Sequence, residues 1–138
     1  MLLSFLNDPQ LGLLGVVGTD KLTPNLVWWQ GHMIGESFDN SQGQNKIFNF
    51  EHDLKHTMPA MVVDGFLMCT QYDLPWREDV FDGWHFYDAS QCFEFQKQGY
   101  KVGIMSANKP VAFHDCGVVN LDGYKKYRDL FYREYFQA

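Results

Sequence analysis

The chain has 138 residues, of which 46% are hydrophobic and 20% are charged, so we expect one globular domain and not a disordered segment. Its net charge of −6 and its lack of a basic run argue against nucleic acid as a partner, because a phosphate backbone is held by clustered Lys and Arg. No apolar run reaches the ~20 residues of a transmembrane segment, and the first residues lack the basic start of a secretory signal.

Three cysteines, Cys69, Cys92 and Cys116, occur without a Cys-x-x-Cys pair. An odd number without that spacing favours neither a disulfide framework nor a zinc knuckle. Free thiols in a reducing compartment are the simpler interpretation, so we expect a cytoplasmic protein.

Turn residues and apolar periodicity divide the chain into short elements. Asn7-Asp8-Pro9 ends a first helix, and Gly99 stands where a glycine commonly follows the C-terminus of a helix. Aromatic residues recur at three- and four-residue spacing from Tyr124 to Tyr135, which predicts an amphipathic final helix. In chain order we predict a helix ending at Leu6, strands over 11–17, 27–29, 33–38 and 60–70, a helix over 85–98, strands over 101–105 and 111–114, and a helix over 121–136.

These elements predict an α/β or α+β domain with a mixed sheet flanked by helices. The run 60–70 is the best candidate for a central strand, although Gly65 interrupts it and Asp64 is an unusual acid in such a run. The strand 33–38 is expected to form a hairpin with 27–29. The sequence contains neither Gly-x-Gly-x-x-Gly nor Gly-x-x-x-x-Gly-Lys-Ser/Thr, so neither of those nucleotide-binding loops is predicted.

Two residues at the ends of predicted elements are candidates for chemistry. Asp88 lies in the first turn of a helix, where it could cap free N–H groups or act as a general base toward a hydroxyl. His114 closes an apolar strand, where it could be a hydrogen-bonded structural residue or a metal ligand. Asp115 and Cys116 follow it, but neighbours on a strand point to opposite faces, so the three side chains are not expected to converge.

Aromatic residues are unusually frequent, at 17% of the chain. Any one tryptophan is by default a packing residue, but Trp76 and Trp84 flank the loop before Asp88. Binding residues concentrate on loops that a rigid sheet positions, so these two are the better candidates for ligand contacts.

Three motifs occur in a fixed register: VDGFLM at 63–68, FDGWHFYD at 81–88, and GYKV at 99–102, which begins eleven residues after Asp88. In this combination the chain resembles the glycosyltransferases of the GT-A type, in the glycosyltransferase family 2-like group. The resemblance extends over about residues 9–117. Each motif alone is too short to be specific. The specificity comes from the occurrence of all three in a fixed register.

The resemblance implies a single domain over 1–138 with the C-terminal, acceptor-side portion of a GT-A (Rossmann-like) fold. It implies transfer of a sugar from a sugar nucleotide to a hydroxyl acceptor, with Mn²⁺ or Mg²⁺ as cofactor. Asp88 matches the position of the catalytic base, and His114 that of a late strand-end metal ligand. Acceptor or substrate contacts are implied for Asp64, Gly65, Trp76, Trp84, His85 and Tyr87.

Two departures from the family pattern limit these implications. Tyr87 replaces the Glu of a Glu-Asp pair, and no Asp-x-Asp motif for metal and diphosphate occurs. We therefore expect the nucleotide-binding half to be missing and the isolated chain to be inactive. The alternative is a non-catalytic module that binds carbohydrate or associates with itself. Self-association would use the strands 11–17 and 60–68, which the missing half would leave uncovered.

Overall fold

The structure, a computed structural model, describes residues 2–137 as a mixture of helices and short strands arranged in mixed sheets. This confirms the predicted α/β class. Among the described residues, no helix is both long and apolar enough to cross a bilayer. The elements are α1 (Leu2–Asn7), β1 (Leu11–Gly15), β2 (Val17–Thr19), a 3-10 helix (Trp28–Gln30), β3 (Met33–Asp39), β4 (Lys46–Asn49), β5 (Met58–Pro59), β6 (Val62–Val63), β7 (Cys69–Thr70), α2 (Tyr87–Lys97), β8 (Lys101–Ile104), β9 (Phe113–His114) and α3 (Tyr124–Phe136).

The first sheet has the strand order β5-β8-β1-β7, in which β1 and β8 are parallel. Every residue of β1 is buried, and Leu13 packs in a cluster with Phe95 of α2. The expectation that 11–17 would be an uncovered apolar face is therefore wrong. Residues 60–68 are likewise buried or half-buried, because α2 covers them.

The second sheet has the order β4-β3-β2-β6, and β9 pairs in parallel with the end of β3. Because β2 is antiparallel to both β3 and β6, the strands β3, β6 and β9 all run in the same direction. Their C-terminal ends therefore meet at one edge of the sheet. Asp39 ends β3, Asp64 follows β6, and His114 ends β9. Ligands of open α/β sheets commonly bind at such an edge.

The run 60–70 does not form one central strand as predicted; it is divided between β6 and β7. The carboxylate of Asp64 accepts a hydrogen bond from the N–H of Phe66 at 3.1 Å, which stabilises a turn where the chain leaves β6. The acid that is unusual in an apolar run is thus the residue that ends the strand.

The prediction of a strand at 27–29 is also wrong, since Trp28–Gln30 is a 3-10 helix. Asn25 accepts a hydrogen bond from the N–H of Val27 at 3.1 Å, and Leu26 has a φ of 61°, so a tight turn occupies this position. β3 pairs with β2 in place of the predicted hairpin partner.

The helix α2 lies between the sheets and α3, and it contributes to two hydrophobic clusters. Cys92 and Phe95 pack with sheet residues, whereas Ala89 packs in a second cluster with Phe131 of α3. The helices α2 and α3 begin two to three residues after their predicted starts, and Gly99 follows α2 with a φ of 83°. Both predicted helices are confirmed.

Candidate active site

The strand ends bring an acid and an imidazole together at one edge of the second sheet. Nδ1 of His114 lies 2.8 Å from Oδ2 of Asp39, and the His114 ring stacks on Phe66 at 4.6 Å. Burial opposes ionisation of Asp39, but hydrogen bonds from Ser41 and His114 outweigh it and lower the pKa of Asp39. An ionised carboxylate only accepts hydrogen bonds, so Nδ1 of His114 donates to Asp39 and this contact orients the imidazole ring. Imidazole nitrogen is a common ligand of divalent cations.

The chain after His114 turns back toward Asp39. Asn40 donates a hydrogen bond to the carboxylate of Asp115 and accepts one from the N–H of Gly117 at 2.8 Å. This bracing places donor atoms of Asp39, His114 and Cys116 within 4.8 Å of one another. Cys116, two positions after His114, converges on it, and Asp115 does not, so the three consecutive side chains do not all converge, as the sequence predicted. Asp115 is held by Asn40.

A pair of acids lies beside this edge: Asp64, which follows β6, and Asp88, in the first turn of α2. Asp88 is buried; its Oδ2 accepts a hydrogen bond from the N–H of Gly65 at 3.1 Å, and its Oδ1 accepts one from that of Ala89 at 2.8 Å. Burial, with a further contribution from the negative charge of Asp64, raises the pKa of Asp88 to about 7. Burial also raises the pKa of Asp64, and the charge of Asp39 adds to the effect. The two acids thus share a poorly solvated position in which double ionisation is costly.

Tyr87 covers the acid pair. Burial, reinforced by the charges of Asp88 and Asp64, raises the pKa of the Tyr87 hydroxyl to about 12, so the group stays protonated. This hydroxyl stands directly over Gly65, where any Cβ atom would overlap it. Residue 65 therefore has to be glycine, since no side chain fits under Tyr87. The backbone N–H of Gly65 also donates the hydrogen bond to Asp88.

We expect Gly65→Ala to displace Tyr87 and to weaken the hydrogen bond between Gly65 and Asp88. Overpacking a filled position typically costs about 1–3 kcal/mol in the free energy of unfolding. Urea denaturation would measure that cost. Gly99→Ala is a useful comparison, because a Cβ atom there meets no atom of residues 2–137 within 4 Å and only the left-handed backbone is strained. An unchanged stability and an unchanged Tyr87 environment in Gly65→Ala would contradict the described contact.

The remaining sequence candidates take different positions around this site. Trp76 packs on Tyr87 with a ring separation of 6.1 Å and is half exposed, and Trp84 is 87% exposed before α2. His85 packs against Tyr124 of α3, and its Nε2 bonds to the backbone oxygen of Asp122 at 3.1 Å. The structure thus places the two tryptophans at accessible positions and gives His85 contacts within the fold.

Sequence reasoning missed Asp39, which belongs to no Asp-x-Asp motif. Its partner His114 is 75 positions away in the sequence, so no local spacing links the two. One signal was present. Asp39 ends a strand and is followed by a polar loop. In the same way, His114 ends a strand and Asp64 directly follows one.

The donor set at this edge fits a divalent cation. Hard cations such as Mg²⁺ and Mn²⁺ prefer carboxylate oxygens, and imidazole nitrogen is also an accepted donor for Mn²⁺. Asp39 and His114 supply one of each, and Asp64 follows the neighbouring strand. These residues leave positions open for substrate oxygens or water.

Comparison with known proteins identifies a family match. Residues 1–135 match a family described as "Glycosyltransferase like family". No curated protein and no solved structure matches the sequence significantly. Because the match extends over nearly the whole chain, and the fold has the α/β class expected for it, the chain belongs to this glycosyltransferase-like family.

Proposed function

We propose that this chain contributes the acceptor-side site of a transferase that passes a sugar from a sugar nucleotide to a hydroxyl group. The observation that supports this most strongly is Asp88, a buried acid with a pKa of about 7 at the start of α2. A general base works best when its pKa lies near the working pH, and strongly shifted carboxyl groups concentrate at functional sites.

Asp88 is the proposed base that takes the proton of the acceptor hydroxyl. The N–H groups of Gly65 and Ala89 fix its two oxygens, and each oxygen retains a lone pair. Asp64 holds the pKa of Asp88 up through its negative charge. This assigns Asp64 a tuning role in addition to the acceptor contact that the family resemblance implies.

Asp39 and His114 are the proposed holders of a divalent cation, Mn²⁺ or Mg²⁺. Such a cation, when bound, neutralises the negative charge that develops on a departing diphosphate. Asp39 orients the His114 ring through the 2.8 Å hydrogen bond to Nδ1, and the stack on Phe66 fixes the ring plane. Since the sequence has no Asp-x-Asp motif, these strand-end residues are the best candidates for the role.

Trp76 and Trp84 are proposed to contact the acceptor. Indole faces pack well on the apolar faces of sugars, and both side chains are accessible. Trp76 also contacts Tyr87, so an acceptor on Trp76 would lie close to the acid pair.

The test of the function is metal-dependent binding of sugar nucleotides, measured by calorimetry with a panel of uridine and guanosine diphosphate sugars. We expect any binding of a sugar nucleotide to need Mn²⁺, and we expect His114→Ala to weaken that binding roughly tenfold or more. His56→Ala is the matched control, because His56 is exposed and, among the described residues, its side chain bonds to Asp53 alone. Binding of free sugars without any binding of sugar nucleotides would instead support a non-catalytic carbohydrate-binding module.

A further inference from the structure

The donor set at the strand ends contains a group that magnesium and manganese do not need. Cys116 is exposed, and its Sγ lies 4.0 Å from Nδ1 of His114. The donor atoms of Asp39, His114 and Cys116 all lie within 4.8 Å of one another. Oxygen, nitrogen and sulfur together are the donors that borderline cations such as Zn²⁺ and Co²⁺ prefer.

We propose that Asp39, His114 and Cys116 form a three-ligand site for a thiophilic divalent cation of the zinc or cobalt class. This inference rests on the proposed function only in placing a divalent cation at these strand ends. It adds that Cys116 sets the selectivity of the site, so that zinc-class cations bind more tightly there than Mg²⁺ or Mn²⁺.

For the two donor pairs that include His114, movements of about half an ångström would close the geometry around such a cation. Bonds of ~2.3 Å to sulfur and ~2.0 Å to nitrogen at a tetrahedral angle separate these two donors by about 3.5 Å. The observed separation of 4.0 Å is therefore within about half an ångström of a bound arrangement. Oδ2 of Asp39 and Nδ1, now 2.8 Å apart in a hydrogen bond, would have to separate by a similar amount.

The backbone around the three donors is already braced. Asp39 and His114 are opposite one another in the parallel ladder of β3 and β9. Asn40 ties the segment after His114 back to β3 through Asp115 and Gly117. Two of the ligands are thus fixed by strand pairing, and the third lies on a turn held by side-chain hydrogen bonds, which limits the entropy lost on binding.

Cation binding also has a simple proton balance. The thiol of Cys116 loses its proton to solvent as the metal–sulfur bond forms. His114 binds through Nδ1, and the proton from that atom is replaced by one on Nε2, so the ring remains neutral. Asp39 exchanges its hydrogen bond for a bond to the metal. No oxidation or reduction is involved. Three protein ligands leave a fourth position for water or a phosphate oxygen.

Titration of the reduced protein with Co²⁺, followed by absorption, tests the site directly. We expect a sulfur-to-cobalt charge-transfer band in the near ultraviolet that saturates at one cobalt per chain. Cys116→Ser should abolish the band, and His114→Ala should weaken cobalt binding roughly tenfold or more. Cys69→Ser should keep the band, because Cys69 lies in β7 of the other sheet. A band that survives in Cys116→Ser, or its absence from the unaltered protein at saturating Co²⁺, would overturn the proposal.

Competition separates this inference from the proposed function. Zn²⁺ is expected to displace Co²⁺ from the unaltered protein, and Mg²⁺ in large excess is not. If Mn²⁺-dependent binding of sugar nucleotides is found but no cobalt–sulfur band forms, the thiophilic site is wrong and the proposed function stands. If the band forms and no sugar nucleotide binds, the cation site stands and the proposed function is wrong.

Discussion

Asp88→Asn is expected to lower the rate of sugar transfer, measured with the nucleotide-binding half of the enzyme present, by at least ~100-fold, because loss of a positioned general base typically costs ~10²–10⁴ in rate. Asn has nearly the same shape, but its Nδ2 cannot accept a hydrogen bond, so the replacement removes the basic function together with one of the two backbone contacts of Asp88. The rate is measured as nucleoside diphosphate release in the presence of Mn²⁺, a sugar nucleotide and a hydroxyl acceptor. Asp82→Asn is the control, since Asp82 lies in the same motif but is exposed and bonds to Tyr127.

The pH profile provides a second signature of the same residue. The base form of Asp88 is populated above its pKa of about 7, so the rate should rise with pH and level off above that value. Asp88→Asn should lose this limb, and Asp82→Asn should retain it. Equal rates and equal profiles in all three proteins would reduce Asp88 to a residue that only braces the start of α2.

Stability supplies a test that needs no substrate. Asp88 in the folded protein holds its proton up to about pH 7, whereas an unfolded aspartate loses it near pH 4. Its contribution to stability is therefore fully present below pH 4 and is lost as pH rises toward 7, by at most roughly 1.4 kcal/mol per pH unit. The difference in urea stability between the unaltered protein and Asp88→Asn should follow this window. A difference that is constant from pH 4 to 7 would contradict the raised pKa.

Phe131→Ala is expected to destabilise the protein by about 3–5 kcal/mol. Phe131 is fully buried in α3 and lies within 5.2 Å, between ring centroids, of both Phe86 and Phe93. Its removal leaves a cavity between α2 and α3 that rigid neighbours cannot close. The free energy of unfolding by urea measures the effect.

The same replacement should reach the acid pair through Phe86. Phe86 has a φ of 64°, in the region that favours glycine, and it is held there by burial of its ring against Phe131 and Tyr124. This residue directs Tyr87 and Asp88 into the site, so their geometry depends on α3. Tyr132→Ala, on the exposed side of the same helix, should cost less than about 1 kcal/mol. A cost below that value for Phe131→Ala as well would show that α3 does not support α2.

Local patterns in the sequence predicted the parts of the fold that depend on neighbouring residues. The aromatic stripe of α3 and the glycine after α2 mark helices, because periodicity and backbone freedom act within a few residues. Asp88 at a helix start and His114 at a strand end were predicted in the same way. The strand at 27–29 and the single strand over 60–70 were wrong, because side-chain turns at Asn25 and Asp64 outweighed the apolar pattern.

The amino-acid sequence by itself therefore determined the class of the fold, the two longer helices and the family. Only the tertiary structure decided how the site is assembled. Asp39 meets His114 across 75 positions because β3 and β9 pair in parallel, and Cys116 joins them because the chain turns back at Asn40. The raised pKa of Asp88 has the same origin, since burial and the charge of Asp64 come from packing α2 against β6. Such contacts between distant segments leave no local trace in the sequence, yet they set the charge and the ligands on which the chemistry depends.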